Sequence, residues 1–174
     1  QRRRAGPFCR LLLRSATMIV LASQSPRRSE LLTIAGIPFR VRVSPVEEIP
    51  RPGEQAVAYA MRLARSKAEA VPLHPDETGL GADTVVVVDG QILEKPANDA
   101  DAARMLRLLS GREHEVVTGV CVRSQKDTAC EHELTIVRFS RLSESEIERY
   151  VASGECHGKA GAYAIQGLAS KFVE

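Results

Sequence analysis

Short apolar runs alternate with amphipathic stretches along this chain, and their periods predict an alternation of strands and helices. Ile19, Val20, Leu21 and Ala22 form a buried-strand run, Ser25 suits an N-cap and Pro26 the first helical position, so a helix starts at Pro26. Gly36 supplies its stop, and Phe39 to Val43 alternates as a half-buried strand. The stretch Ser44 to Gly53 holds three prolines and reads as a loop, before a helix from about Glu54 to Val71 with Val57, Met61, Leu63, Ala64 and Ala68 at helical spacings. Val85 to Val88 is a continuous β-branched run suited to a strand buried on both faces, and Asp89-Gly90 is a hairpin turn into Gln91 to Glu94. A further helix runs from Asn98 or Asp99 to Leu109, with Ala102, Met105, Leu106 and Leu109 on one face. Glu115 to Val122 and Leu134 to Phe139 read as strands, and Ser143 with Glu146 forms a capping box for a helix to about Ala152. The glycine- and alanine-rich Gly158 to Gly167 allows a backbone to pack closely or to approach a ligand. The order implies one α/β domain with a mixed sheet and flanking helices.

Composition narrows the function classes. A chain of 174 residues buries enough surface to fold as one domain, and 24 basic against 22 acidic residues leave a formal charge of +2, too near neutral for a nucleic-acid or membrane partner. Cys9, Cys121, Cys130 and Cys156 show no ligand-like spacing, so neither a zinc site nor a disulfide is expected, and a reducing, cytoplasmic compartment follows. Every charged residue before Glu30 is basic, but Arg10 interrupts the apolar stretch Phe8 to Leu13, which argues against a secretory signal. Met18 reads as the natural start, with Gln1 to Thr17 as upstream sequence and an organellar transit peptide as the minor alternative. No stretch reaches transmembrane length, which predicts a soluble protein.

Candidate chemistry concentrates where polar residues interrupt apolar elements. Arg27 and Arg28 sit in the first turn of a helix, where backbone N–H groups and the macrodipole already present positive potential. An anion relieves that repulsion, so strand, serine turn and arginine-bearing helix start form a phosphate-binding arrangement, against the alternative of a solvated basic turn. Asp83 falls at the start of the valine strand, where an ionised carboxylate needs a cation, metal or donor. It can otherwise turn back onto local N–H groups. Glu47 and Glu48 with Asp83 would make an oxygen site for Mg²⁺ or Mn²⁺. Lys67 and Lys95 can neutralise phosphate oxygens or remain solvated, and Lys159 admits either reading. The four histidines show no ligand spacing, and no P-loop occurs.

SQSPRRSELL, RLARSKA, GADTVV, LEKP and KAGAYAIQG follow one another in this order. Together they resemble the Maf family of nucleoside triphosphate pyrophosphatases, and the resemblance spans Met18 to Glu174. It implies a fold like that of the inosine triphosphate pyrophosphatases (Maf/Ham1), a central cleft in a mixed twisted sheet, and hydrolysis of a nucleoside triphosphate to monophosphate and pyrophosphate with a divalent cation (Mg, Mn or Co). By position, Ser23, Arg27 and Arg28 match the family's phosphate turn. Glu48, Lys67, Asp83 and Lys95 match its polar cluster, with Glu48 and Asp83 as metal ligands and Asp83 as proton acceptor. Arg27, Thr84 and Gln166 match the residues of the subgroup acting on dTTP and UTP. A glutamine amide offers the donor and acceptor that O4 and N3–H of uracil or thymine require.

The family ordinarily continues beyond the point matched by Glu174 into a strand and closing helix. The resemblance also implies a homodimer. The competing readings are a regulatory binding protein affecting cell division or septum formation, and a pyrophosphatase with another base preference. With only 4% aromatic residues and near-neutral charge, no nucleic-acid partner is expected.

Overall fold

The computed structural model describes residues 18–174, so the basic N-terminal segment and Cys9 lie outside the described residues. The strands are β1 (Met18–Leu21), β2 (Phe39–Val41), β3 (Glu77–Val88), β4 (Gln91–Leu93), β5 (Glu113–Arg123) and β6 (Thr128–Arg138). The helices are α1 (Pro26–Ile34), α2 (Ala56–Ala70), α3 (Asp99–Leu109) and α4 (Glu144–Ala152), with 3₁₀ turns at Ala160–Ala162 and Leu168–Phe172. The sheet runs in the order β2-β1-β3-β5-β6, with β4 paired to β3. β1 is parallel to both β2 and β3, whereas β3 and β4 are antiparallel, so the sheet is mixed as expected. Among the described residues no helix is long and apolar enough to cross a membrane.

The chain divides into two compact units, one comprising residues up to Asp83 with Thr118–Glu133, the other Thr84–Val117 with Leu134–Glu174. In the first, β1 lies between β2 and β3. Leu21 sits opposite Leu80, and the Ala22 N–H donates to the Leu80 carbonyl at 2.8 Å, so the chain leaving β1 runs beside Gly81 to Asp83. From β1 the chain passes through α1 to β2 on one side, then through α2 to β3 on the other. That makes the carboxyl end of β1 a point where the order of winding reverses, the usual place for a ligand in parallel α/β sheets.

The second unit holds an apolar core built from α3, α4 and Val86, Val88 and Leu93. The face forecast for α3, Ala102, Met105, Leu106 and Leu109, is the buried one, with the Asn98 side chain capping the Asp101 N–H. The capping box of Ser143 and Glu146 is formed as forecast.

Three expectations need correction. β3 begins at Glu77, so Asp83 lies within a strand rather than at its start; Gly79, a poor strand former alone, is held there by pairing with Val20 of β1. β6 begins at Thr128, well before Leu134, because ladder pairing extends a strand through polar residues that carry no apolar alternation. Cys121 and Cys130 form a disulfide, against the expectation from spacing. Ser124 N–H pairs with the Asp127 carbonyl at the turn joining β5 and β6, so positions three residues further along each strand face one another. A separation of 9 residues conceals that juxtaposition, and cysteine spacing therefore says nothing about compartment.

Candidate active site

The turn after β1 is organised by one hydroxyl. Buried Ser23 accepts at Oγ from the Ser25 N–H and from Arg28 Nη1, both at 3.1 Å, and Arg28 Nη1 also donates to the Ala82 carbonyl at 2.8 Å. Ser25 has extended N-cap dihedrals but its side chain makes no capping bond, so the forecast helix start is correct and the working serine is Ser23. Arg28 thereby ties the first turn of α1 to β3. Burial lowers the Arg28 pKa, while Asp83 and Glu48 raise it and Arg27 lowers it, so these charges share one neighbourhood. With no acidic residue in the first turn of α1, the helix adds uncompensated positive potential at the same point.

Asp83 reaches its partner because β3 is stripped of side chains on the face that α2 covers. Gly79, Gly81 and Asp83 alternate on one face, as strand geometry requires. A Cβ on Gly81 would lie 2.1 Å from the Ala64 carbonyl oxygen and 2.6 Å from the Ala68 nitrogen, both on α2. The helix backbone therefore rests on the strand, and Lys67, in the same turn, is brought against the next side chain on that face. Lys67 Nζ donates to Asp83 Oδ1 and to Glu48 Oε1, each at 2.6 Å, with Lys67 and Asp83 only 7% and 6% exposed. Burial raises the Asp83 pKa, outweighing Lys67, which pulls it down; Glu48 adds a smaller upward push and Arg28 a smaller downward one. A carboxylate held ionisable but above its ordinary range is suited to accept a proton.

Arg62, which sequence reasoning passed over, secures the loop that carries Glu48. On α2 it donates to both carboxylate oxygens of Glu54 at 2.6 Å and to the Ile49 carbonyl at 3.1 Å, pinning both sides of the proline-rich stretch. Its place in the RLARSKA segment was the available signal. Glu47, grouped with Glu48 at first, is exposed, and Lys67 joins Glu48 to Asp83.

Thr84, Lys95 and Gln166 belong to the second unit, where Thr84 is partly buried and Lys95 and Gln166 are exposed. The loop bearing Gln166 is clamped from both ends. The Tyr150 hydroxyl donates to Glu155 Oε2 at 2.8 Å and accepts from the Ala164 N–H at 3.1 Å, while Glu155 Oε1 accepts from the Leu168 N–H at 3.1 Å. A Cβ on Gly167 would lie 2.0 Å from that Glu155 oxygen, so a larger residue there would push the Glu155 carboxylate out of this position. No periodicity marks Glu155, and only tertiary contact reveals it.

Comparison with known proteins gives this arrangement a family. A signature described as "Maf-like protein" matches residues 18–174. The chain is 51% identical over 156 residues to a protein of Koribacter versatilis named "dTTP/UTP pyrophosphatase", covering 89% of this chain and 81% of that one. It is 53% identical over 157 residues to one of the same name from Sphingopyxis alaskensis, covering 89% and 83%. Among solved structures, a Ham1 protein of Staphylococcus aureus aligns with a TM-score of 0.49 at 17% identity, over 70% of this chain and 71% of that one. A dITP/XTP pyrophosphatase of Mycobacterium abscessus aligns with a TM-score of 0.46 at 19% identity, over 72% and 75%. The five ordered motifs and the match across all described residues lead to one conclusion: from Met18 to Glu174 this chain belongs to the Maf-like family.

Proposed function

We propose that this protein hydrolyses dTTP and UTP, and modified pyrimidine nucleotides of the same class, to the monophosphate and pyrophosphate. The observation that carries this reading is the buried Lys67 bridging Asp83 and Glu48 beside Arg28 and Ser23, with Arg28 tying the helix start to β3. The names of relatives near 50% identity supply the substrate class.

The chemistry follows from the side chains. Arg27, Arg28 and the start of α1 take up phosphate charge, and Lys67 and Lys95 add two ammonium groups. Water attacks the α-phosphorus, a new P–O bond forms, the α–β phosphoanhydride bond breaks, and pyrophosphate leaves with the electron pair. Asp83 accepts the water's proton, and the nearby Lys67 ammonium stabilises the carboxylate until it does. Glu48 and Asp83 fit a hard divalent cation, Mg, Mn or Co, because both are carboxylates already converging on one cationic nitrogen. Such a cation would supply further neutralisation of phosphate charge. Arg27, Thr84 and Gln166 select the pyrimidine, with Gln166 presenting donor and acceptor to its edge. A cytoplasmic homodimer acting on free nucleotides is the setting that the family resemblance implies.

The test is a panel of nucleoside triphosphates with each of the three metals, scored separately for pyrophosphate and orthophosphate. We expect pyrophosphate, released fastest from dTTP and UTP. Orthophosphate as the product, faster turnover of purine nucleotides, or no hydrolysis with any metal would overturn the reading.

A further inference from the structure

Outside the phosphate site, the second unit gathers a thiol, an imidazole and a carboxylate that the proposed reaction does not use. Asp99 opens α3, and Cys156 and His157 follow α4. One donor atom from each of the three lies within 4.8 Å of the other two. His157 Nε2 stands 3.2 Å from Asp99 Oδ1, and the Cys156 thiol is fully buried beneath two exposed partners. We propose that Asp99, Cys156 and His157 form a binding site for a thiophilic divalent cation of the zinc class, separate from the carboxylates Glu48 and Asp83.

The distances favour this. Zinc bonds of about 2.0–2.2 Å to nitrogen and oxygen and about 2.3 Å to sulfur give tetrahedral edges of roughly 3.3–3.7 Å. The Asp99–His157 separation of 3.2 Å is already close to such an edge. The remaining edges lie within a 4.8 Å triangle and would have to shorten toward those values on binding. Gly154 and Gly158, both at positive φ, bracket Cys156 and His157, and the chain there meets the start of α3 through His157 and Asp99.

Ligand chemistry selects the metal. A thiolate with an imidazole suits zinc or cobalt and disfavours magnesium and manganese, which seek all-oxygen sites. The Cys156 thiol donates to the Val151 carbonyl at 3.9 Å, a long and weak contact that a metal bond would replace. Lys159 is the nearby opposing charge; its ammonium bonds the His157 carbonyl at 3.3 Å and leaves the imidazole accessible. Binding would tether the segment leading into Gly158–Gly167 to the start of α3.

The probe is Co²⁺ titrated into the whole purified chain with the Cys121–Cys130 bond intact, followed by absorption spectroscopy. We expect a thiolate-to-cobalt charge-transfer band in the near ultraviolet saturating at one equivalent, with tetrahedral d–d bands, both abolished by equimolar Zn²⁺. Cobalt at Glu48 and Asp83 has no sulfur ligand and gives no such band, so the two sites are read apart. Cys156→Ser should remove the band. Because Cys156 is buried, His157→Ala and Asp99→Asn at exposed positions serve as independent variants, each expected to weaken Co²⁺ affinity by about tenfold or more. Absence of the band at saturating cobalt, its persistence in Cys156→Ser, or unchanged affinity in both surface variants would overturn the proposal.

Discussion

Replacing Asp83 by asparagine separates the catalytic role proposed for this carboxylate from its place in the core. At 2.6 Å the attraction between Lys67 and Asp83 is worth about 6 kcal/mol at an effective dielectric of 20, while burial costs each ion several kcal/mol. The upward shift of the Asp83 pKa shows that burial wins at this residue. A folded-state pKa raised above the unfolded value of 3.8 means that Asp83 contributes stability fully below that value and loses the contribution as pH rises through the folded pKa. At neutral pH its ionisation therefore works against folding. The asparagine side chain would keep the size, remove the charge and leave Lys67 bonded to Glu48, so Asp83→Asn should hold stability within about 1–2 kcal/mol of the parent. Turnover should nevertheless fall by about 10²- to 10⁴-fold, equivalent to roughly 3–5 kcal/mol in the barrier. Lys67→Met is the contrast, because it leaves two carboxylates facing each other and should cost about 3–5 kcal/mol in stability. The assay is kcat for pyrophosphate release beside the urea midpoint, measured on the same preparations. Turnover within threefold of the parent in folded Asp83→Asn removes Asp83 from the chemistry, and activity that merely tracks the unfolded fraction makes its role structural.

Further outcomes follow from other parts of the structure. Gly81→Ala drives a Cβ to 2.1 Å from the Ala64 carbonyl and should destabilise by about 3 kcal/mol or shift α2, read as a lower urea midpoint; a midpoint unchanged from the parent would show that α2 does not rest on β3. His114 is buried against Phe139 and Tyr163, and burial pushes its pKa down to about 4 from 6.5. Its contribution is therefore complete above pH 6.5 and is lost as pH falls toward 4, by at most about 3 kcal/mol; His114→Gln should flatten that part of the stability profile, and parallel profiles would refute the assignment. In the proposed base contact the Gln166 amide donates to O4, and Gln166→Glu would put an acceptor there, so the ratio of kcat/KM for UTP over CTP should drop by about one to two decades; an unchanged ratio shows that Gln166 does not read the base.

Local pattern was enough to place what local physics decides. The start of α1 at Pro26, the buried face of α3 and the capping box of α4 depend on residues within a turn of one another, and all could be placed from the sequence. The residues named as site candidates, Ser23, Arg28, Lys67 and Asp83, could also be picked out through charges placed against apolar elements and through ordered motifs, and hydrogen bonds link Ser23 to Arg28 and Lys67 to Asp83. What the sequence could not express was who meets whom. The Lys67 bridge from Asp83 to Glu48 exists because two glycines on one face of β3 let α2 descend onto it, a contact set by packing between distant segments. The length of β6, the Cys121–Cys130 bond, the Arg62 anchor and the Tyr150–Glu155 clamp likewise arise from strand register and tertiary approach. Periodicity records which face of an element is buried; the partner across that face is chosen by close packing of the whole core, which no local window contains.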